Sequence, residues 1–551
     1  MKKYRHLCII LALVMLISLT ISGCKGKDKD SEQTNKDNDI VEDKKEKDEK
    51  NKEDTSKTGY PIVDEKTTLK IVSRKRHDVK NFDELKFFED LEAKTNVHID
   101  WEVIPNEGWE EKKGLIFASG SLPDAFFGNG IIDDIALVKY SSQGLIKPIE
   151  TYIDECCPNF SKLVKENTEY LKLITAPDGH VYGIPTISEA EPDVSAPLFI
   201  NTKWLKDCGK DMPTTTDEFY DVLKTFKGKD LNGNSKKDEI PFSFRYGDAN
   251  TGMDSLFGAF GVLDNKSHLM VTDDDEVQFT AIQPGYKDAI KYFYKLSSEG
   301  LIDNEAFTHD LQVMTSKIKN DEHILGAFFG WSLNWAFNTT DVEYERVAPL
   351  KGPNGDQMWN CAKTSEISNK TSFCITSACK EPEVAMRWVD LMYDVDTAVQ
   401  SKFGLIGYSL KENSNGKLEF AKAPEGMTIN EYKHQHVPGV SGMGVFTKEM
   451  RDRFEAMTPS LEEKYELDKI YEPYLPKKVY PDVFFTLDEA EEISTLQTDI
   501  LDYVDQMCAK WITQGGVDEE WDAYVKRLEG MGLDKMIKIR QDAYDRFLAA
   551  K

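Results

Sequence analysis

From Gly59 onward, short apolar segments alternate with amphipathic ones, and this rhythm limits the fold more than any other feature of the chain. "TLKIVSR" and "VHIDWEVI" predict strands, and "NFDELKFFEDLEAKTN" between them predicts a helix. "LPDAFFG" predicts another strand end, followed by a helix through Ile135, Ala136 and Leu137. Strands separated by crossover helices imply α/β sheets. Further on, "TTTDEFYDVLKTFKG" carries a Thr215-x-x-Glu218 capping box and ends at Gly228, a complete start and stop for one helix. The last third reads as mostly helical. From Thr486, residues Ile493, Leu496, Ile500, Val504, Met507 and Trp511 share one face, and Gly515 ends it. At 551 residues the chain exceeds one ordinary core, so at least two lobes are expected.

The N-terminus has its own logic. "MKKYRHLCIILALVMLISLTISGC" joins a basic start (Lys2, Lys3, Arg5) to an apolar run from Leu7 to Leu19 and ends in Ile21-Ser22-Gly23-Cys24. This is a secretory signal, residues 1–23, rather than a spanning helix. Its last four residues resemble the bacterial lipobox, in which the cysteine is acylated and becomes the new N-terminus. From Lys25 to Thr58 the residues are polar and charged, with only Ile40 and Val41 as sizeable apolar side chains. Such a segment buries too little surface to offset its ordering entropy, so 24–58 is expected to be a disordered tether from a lipid on Cys24. No later apolar run approaches the ~18 residues of a membrane span.

Charge narrows the partners. The formal net charge of -28 argues against nucleic acid, which requires a Lys/Arg surplus. Nine cysteines include no CxxC pair, so neither a zinc site nor a disulfide framework is expected. There is no GxSxG, P-loop or HExxH. With 97 acidic residues, carboxylate pairs arise by chance and carry no argument for glycoside hydrolysis. An enzyme is not expected. "HQH" at 434–436 reads as a solvated polar loop.

One stretch stands out: "DLNGNSKKDEIP", Asp230 to Pro241. An EF-hand loop takes calcium ligands from positions 1, 3, 5, 7 and 9 and a bidentate Glu at 12. Asp230, Asn232 and Asn234 fit 1, 3 and 5, Lys236 offers its carbonyl at 7, and Asp238 fits 9. Position 6 is Ser235 instead of Gly, position 12 is Pro241, and Glu239 is the natural sixth ligand. The residues by themselves fit a polar helix-to-strand turn equally well.

In order along the chain, "LPDAFFG…GLIKPIETYIDE", "DGHVYGIP", "LFINTKWLKDCG…PTTTDEFYDVLKTFK", "DLNGNSKKDEIP" and "WITQGGVDEEWDAYVKRLEGMGLDKMIKIRQDAYDRF" resemble family 1 extracellular solute-binding proteins, from about Gly59 to Phe547. These are lipid-anchored receptors of bacterial ABC importers for sugars and oligosaccharides. The resemblance implies the type II periplasmic-binding-protein fold: two α/β lobes joined by crossing hinge strands, a helical C-terminal region, and a sugar crevice between the lobes. It implies one lobe at 59–200 plus about 360–410 and a second at 201–359 plus about 411–551. It favours structural calcium in the 230–239 loop, since related alginate-binding receptors are similar there. An oligosaccharide, permease subunits and the membrane are the expected partners of a monomer. A carbohydrate-processing lipoprotein, or a peptide-binding or sensor lipoprotein without transport, is the alternative.

Sugars need aromatic platforms and short polar side chains. "GAFFGWSLNWAF" offers Trp331 and Trp335, and it corresponds in order to the stretch of maltose-binding protein carrying a sugar-stacking tryptophan; core packing is the competing reading. Phe127 and Asn129 follow a strand, at the carboxyl-end crevice where open α/β sheets bind ligands. Asp124 either joins them or caps the turn. Trp359 in "DQMWN" and Trp109 in "NEGWEE" are further candidates, and Tyr182 reads as structural.

Overall fold

The structure, a computed structural model, describes residues 59–550; the signal segment, Cys24 and the charged stretch through Thr58 lie outside them. Two sheets organise the chain. The first contains β1 (Thr67–Lys75), β2 (Val97–Pro105), β3 (Ala125–Phe127) and β4 (Ile184–Ile187), together with a late strand, Ile367–Ile375. The second begins with β5 (Leu198–Asn201) and β6 (Ile240–Ser243). After a small hairpin, β7 (Leu269–Val271) and β8 (Val277–Phe279), it is completed by β9 (Leu325–Phe329) and β10 (Tyr344–Val347). The late strand is β11. The sheet orders are β2-β1-β3-β11-β4 and β10-β5-β9-β6.

In the first sheet β1 runs parallel to β2 and β3, while β11 lies antiparallel to β3 and β4. Strands β3 and β4 are buried throughout, whereas the edge strand β2 alternates, burying Val97 and Ile99 and exposing His98 and Asp100. Leu69 and Ile71 enter one core and Val72 another. The expected helix after β1 forms over Lys86–Thr95, preceded by a single 3-10 turn at Phe82–Glu84. It buries Phe87, Phe88 and Leu91 beside Trp101, Phe127 and Trp388. The Thr215/Glu218 capping box starts the Thr216–Phe226 helix as the sequence predicts.

The C-terminal region is three long helices, Leu487–Gln514, Val517–Gly530 and Leu533–Ala549, all packed into the second core. The first buries Ile493, Ile500, Val504, Met507 and Trp511, the face predicted for it. The chain passes between the two cores more than once. Leu198 and Ile200 line the second core, although the sequence boundary keeps them in the first lobe. Val437, Phe446 and Phe454 line the first core, although 411–551 is assigned to the second. A returning segment leaves no mark in periodicity, which reports a buried face and not its partner. Cys156, Cys157, Cys374, Cys379 and Cys508 are buried, as small apolar side chains are. Among the described residues no helix is long and apolar enough to cross a membrane.

Candidate ligand-binding crevice

Both sheets turn the carboxyl ends of their parallel strands toward the connecting segments. β4 ends at Ile187 and β5 begins at Leu198, opposite Phe329 at the end of β9. Val194 and Cys361 pair antiparallel where the two connections pass each other, with Ser195 N–H donating to the Asn360 carbonyl at 3.2 Å. Backbone ends and loops meet here, in the position where α/β folds hold ligands.

On the first sheet's edge, Asn129 sits at the centre of a polar cluster. Its Oδ1 accepts from Asn369 Nδ2 at 2.7 Å and from Thr186 Oγ1 at 3.2 Å, and its carbonyl accepts from the Arg74 guanidinium at 2.8 Å. Burial lowers the pKa of Arg74 from its ordinary value. Arg74 escaped the sequence reading, yet it ends β1 as Asn129 follows β3; the same carboxyl-end rule identifies both.

On the second sheet's edge, Trp331 follows β9 and is partly exposed. The Lys464 ammonium lies 4.3 Å from its ring centroid. Lys464 itself is buried and donates to the carbonyls of Val194 and, at 3.1 Å, Ser195. Burial pulls its pKa down to about 8. It belongs to the Pro459–Tyr471 helix, which makes other ties nearby. Asp468 accepts from the Val194 amide at 2.8 Å, and Glu463 accepts from the amides of Leu333 and Asn334 at 2.8 and 3.0 Å. No local pattern in the sequence marks Lys464 among so many charged helical residues.

Other candidates stand elsewhere. Phe127 is fully buried among Phe82, Phe88 and Trp388, so it has no free face for a sugar. Trp359 is likewise core, 5.3 Å from Tyr471 and 6.3 Å from Phe329. Asp124 begins β3 rather than ending it; its Oδ2 accepts from the Lys70 amide at 2.8 Å, fastening the opposite edge of the sheet. Trp335 packs with Phe328 and Phe337 in a small satellite cluster. Trp109 is buried and donates to the Ile131 carbonyl, and Tyr182 donates to Asp178. His434 is buried against Asp78, not solvated.

A cavity of about 470 Å³ opens beside the paired connections. Ser195 and Asn360 contribute from those connections, Asp248 and Asp254 from the chain after β6, and Tyr480 from the approach to the C-terminal helices.

The 230–239 loop lies apart, leading into β6. Ser235 adopts φ +63°, the left-handed conformation that glycine supplies at the sixth position of an EF-hand loop, so the turn survives the missing glycine. Asp230 accepts from the amides of Gly233 and Ser235 at 2.8 and 3.0 Å. Burial works to raise the Asp238 carboxyl, but hydrogen bonds from the Asn234 and Asn232 amides outweigh it and hold it below its ordinary value. Glu239 Oε1 accepts from the Leu231 amide at 2.8 Å, while its Oε2 is buried without a partner. Glu322, from the turn before β9, joins Asn234 at 2.9 Å and Lys236 at 3.1 Å. No three histidine, cysteine or carboxylate side chains among the described residues gather as a metal centre. The loop's donors are instead carboxylates mixed with amides and a carbonyl, the hard oxygen set that suits calcium, and the unpartnered Glu239 oxygen is one more donor of that kind.

A model of the family described as bacterial extracellular solute-binding protein matches residues 80–398. The chain is 34% identical over 517 residues to the fructooligosaccharide ABC transporter substrate-binding protein FusA of Streptococcus pneumoniae serotype 4, spanning 89% of this chain and 92% of that one. It is 26% identical over 372 residues to the polygalacturonan/rhamnogalacturonan-binding protein YtcQ of Bacillus subtilis, covering 65% of this chain and 64% of the relative. The solved structure of an S. pneumoniae FusA EF-hand mutant in complex with fructo-nystose superposes with a TM-score of 0.80. It is 33% identical and covers 88% of this chain and 100% of that one.

Proposed function

The chain belongs to the bacterial extracellular solute-binding protein family, and from that premise we propose that it captures an oligosaccharide in the crevice between its lobes and delivers it to the permease of an ABC importer. The observation that carries this reading is the near full-length similarity to a fructooligosaccharide receptor. Asn129 and Trp331 are the contacts we assign to the sugar. The mechanism is closure: a ligand that touches both lobes binds the closed form better and shifts the hinge equilibrium toward it, with no chemical step. We take the lobes as the units built on the two sheets, with residues 410–457 in the first.

Thermal melting across oligosaccharides, fructose oligomers first and peptides as controls, tests the assignment. A ligand at 100 times its Kd adds about 2.7 kcal/mol, a resolvable rise in melting temperature. Stabilisation by peptides alone, or glycans recovered cleaved, would sink it.

Two finer features complete the reading. Asp230, Asn232, Asn234, Lys236 through its carbonyl, Asp238 and Glu239 hold a structural calcium ion. In addition, a lipid on Cys24 anchors the protein to the outer face of the cell membrane. Replacing that cysteine (Cys24→Ala) is expected to move the protein from the membrane fraction into the medium; retention in the membrane would argue against the anchor.

A further inference from the structure

The cavity beside the connecting segments contains a group that nothing else in the fold uses. Asp254 lines it, and among the described residues its carboxylate has neither a hydrogen-bond nor an ion-pair partner. Its acidic neighbours are all engaged. Asp264 accepts from His268 Nδ1 at 2.8 Å, Asp505 accepts from the Tyr246 hydroxyl at 2.8 Å, and Asp248 holds Arg245. A carboxylate left open on a cavity wall, while every carboxylate around it is satisfied, is placed for something that enters.

The other walls suit a sugar. Tyr480 offers an aromatic surface, Ser195 and Asn360 offer polar atoms from the paired connections, and Leu263 adds apolar area. The volume falls within the roughly 300–1,000 Å³ of small-molecule sites. We propose that this cavity seats a neutral, hydroxyl-rich sugar residue through the Asp254 carboxyl and turns uronates away. The proposal rests on the oligosaccharide reading above and refines it.

A carboxylate accepts hydrogen bonds from adjacent hydroxyls and repels another carboxylate. The local field points the same way. Burial, then the charges of Asp264, Asp505 and Asp248, raise the Asp254 carboxyl to about 7 although His268 pulls it down. A place where a built-in carboxylate resists ionisation is a poor one for a second. Two lysines line the cavity: Lys266 is exposed and weakened by solvent, and Lys478 is already paired with Asp275 at 2.7 Å.

Calorimetric titration of the purified protein at about pH 8.5, above the raised pKa of Asp254 so that its carboxyl is ionised, tests this, using fructo-, gluco- and galacto-oligosaccharides against tetragalacturonate. The wild type is expected to bind a neutral glycan and not the uronate. Asp254→Asn keeps the shape, so it is expected to melt close to wild type without sugar yet bind the neutral glycan roughly ten- to a hundredfold more weakly, the worth of a hydrogen bond to a charged group. Asp254→Ser decides the point if the amide variant does not fold. Uronate binding by the wild type at comparable affinity would overturn the proposal while leaving the receptor reading intact. Unchanged neutral-glycan affinity in the variants would do the same. Binding of no glycan of either charge would remove the receptor reading and this proposal with it.

Discussion

Chelation of divalent ions should lower the melting temperature of the protein, and added calcium should restore it. An ion bound by the folded state alone adds RT ln(1 + [L]/Kd), about 2.7 kcal/mol at 100 times Kd and about 4.1 at 1,000 times. The loop supports the larger part of that range. Glu239 Oε2 is buried without a partner, so removing the cation leaves a carboxylate oxygen desolvated and unsatisfied. Glu239→Gln should therefore flatten the calcium response while melting near the chelated wild type. Magnesium should do less, since it demands shorter, near-octahedral coordination and dehydrates reluctantly, whereas calcium accepts irregular sets of six to eight oxygens. A melting curve indifferent to both chelator and calcium would refute the metal reading.

Trp331→Ala should weaken oligosaccharide binding about thirtyfold, matching the roughly 2 kcal/mol typical of a tryptophan at the centre of a binding surface. Lys464 occupies one face of the indole, so a sugar stacks on the other. Trp331→Phe should retain most of the affinity, because it keeps a ring for the sugar's C–H face. If alanine binds the stabilising glycan as tightly as tryptophan, the stacking role is wrong and the ring only shields Lys464.

Local patterns carried the architecture well. The capping box at Thr215, the apolar face from Ile493 to Trp511 and the strands of the first sheet all follow from spacing within a few residues. The proposed site was legible only where topology could be read from the sequence. Asn129 follows from the rule that ligands meet strand carboxyl ends, but the same rule applied one residue-pair earlier reached Phe127, whose side chain turns into the core. Trp359 failed for a similar reason: its environment is set by Tyr471, more than a hundred residues away in sequence. Asp254 and Lys464 were hidden by abundance, since in a chain with 97 acidic and 69 basic residues no single charge draws the eye. Only packing distinguishes a buried lysine from the solvated ones.

The Pro459–Tyr471 helix carries one more implication. Within three turns it grips the amides and carbonyls of residues 193–195, supports the Trp331 ring, caps the Leu333–Phe337 helix, and donates from Tyr465 to the Ala190 carbonyl at 2.8 Å. It is an axle fixed to the same bearing that holds the platform. The Asp254 cavity shares that grip, because Ser195 lines it and accepts from Lys464 at 3.1 Å. On the proposed reading, a change at Trp331 should also disturb the Lys464 tie to residues 194 and 195.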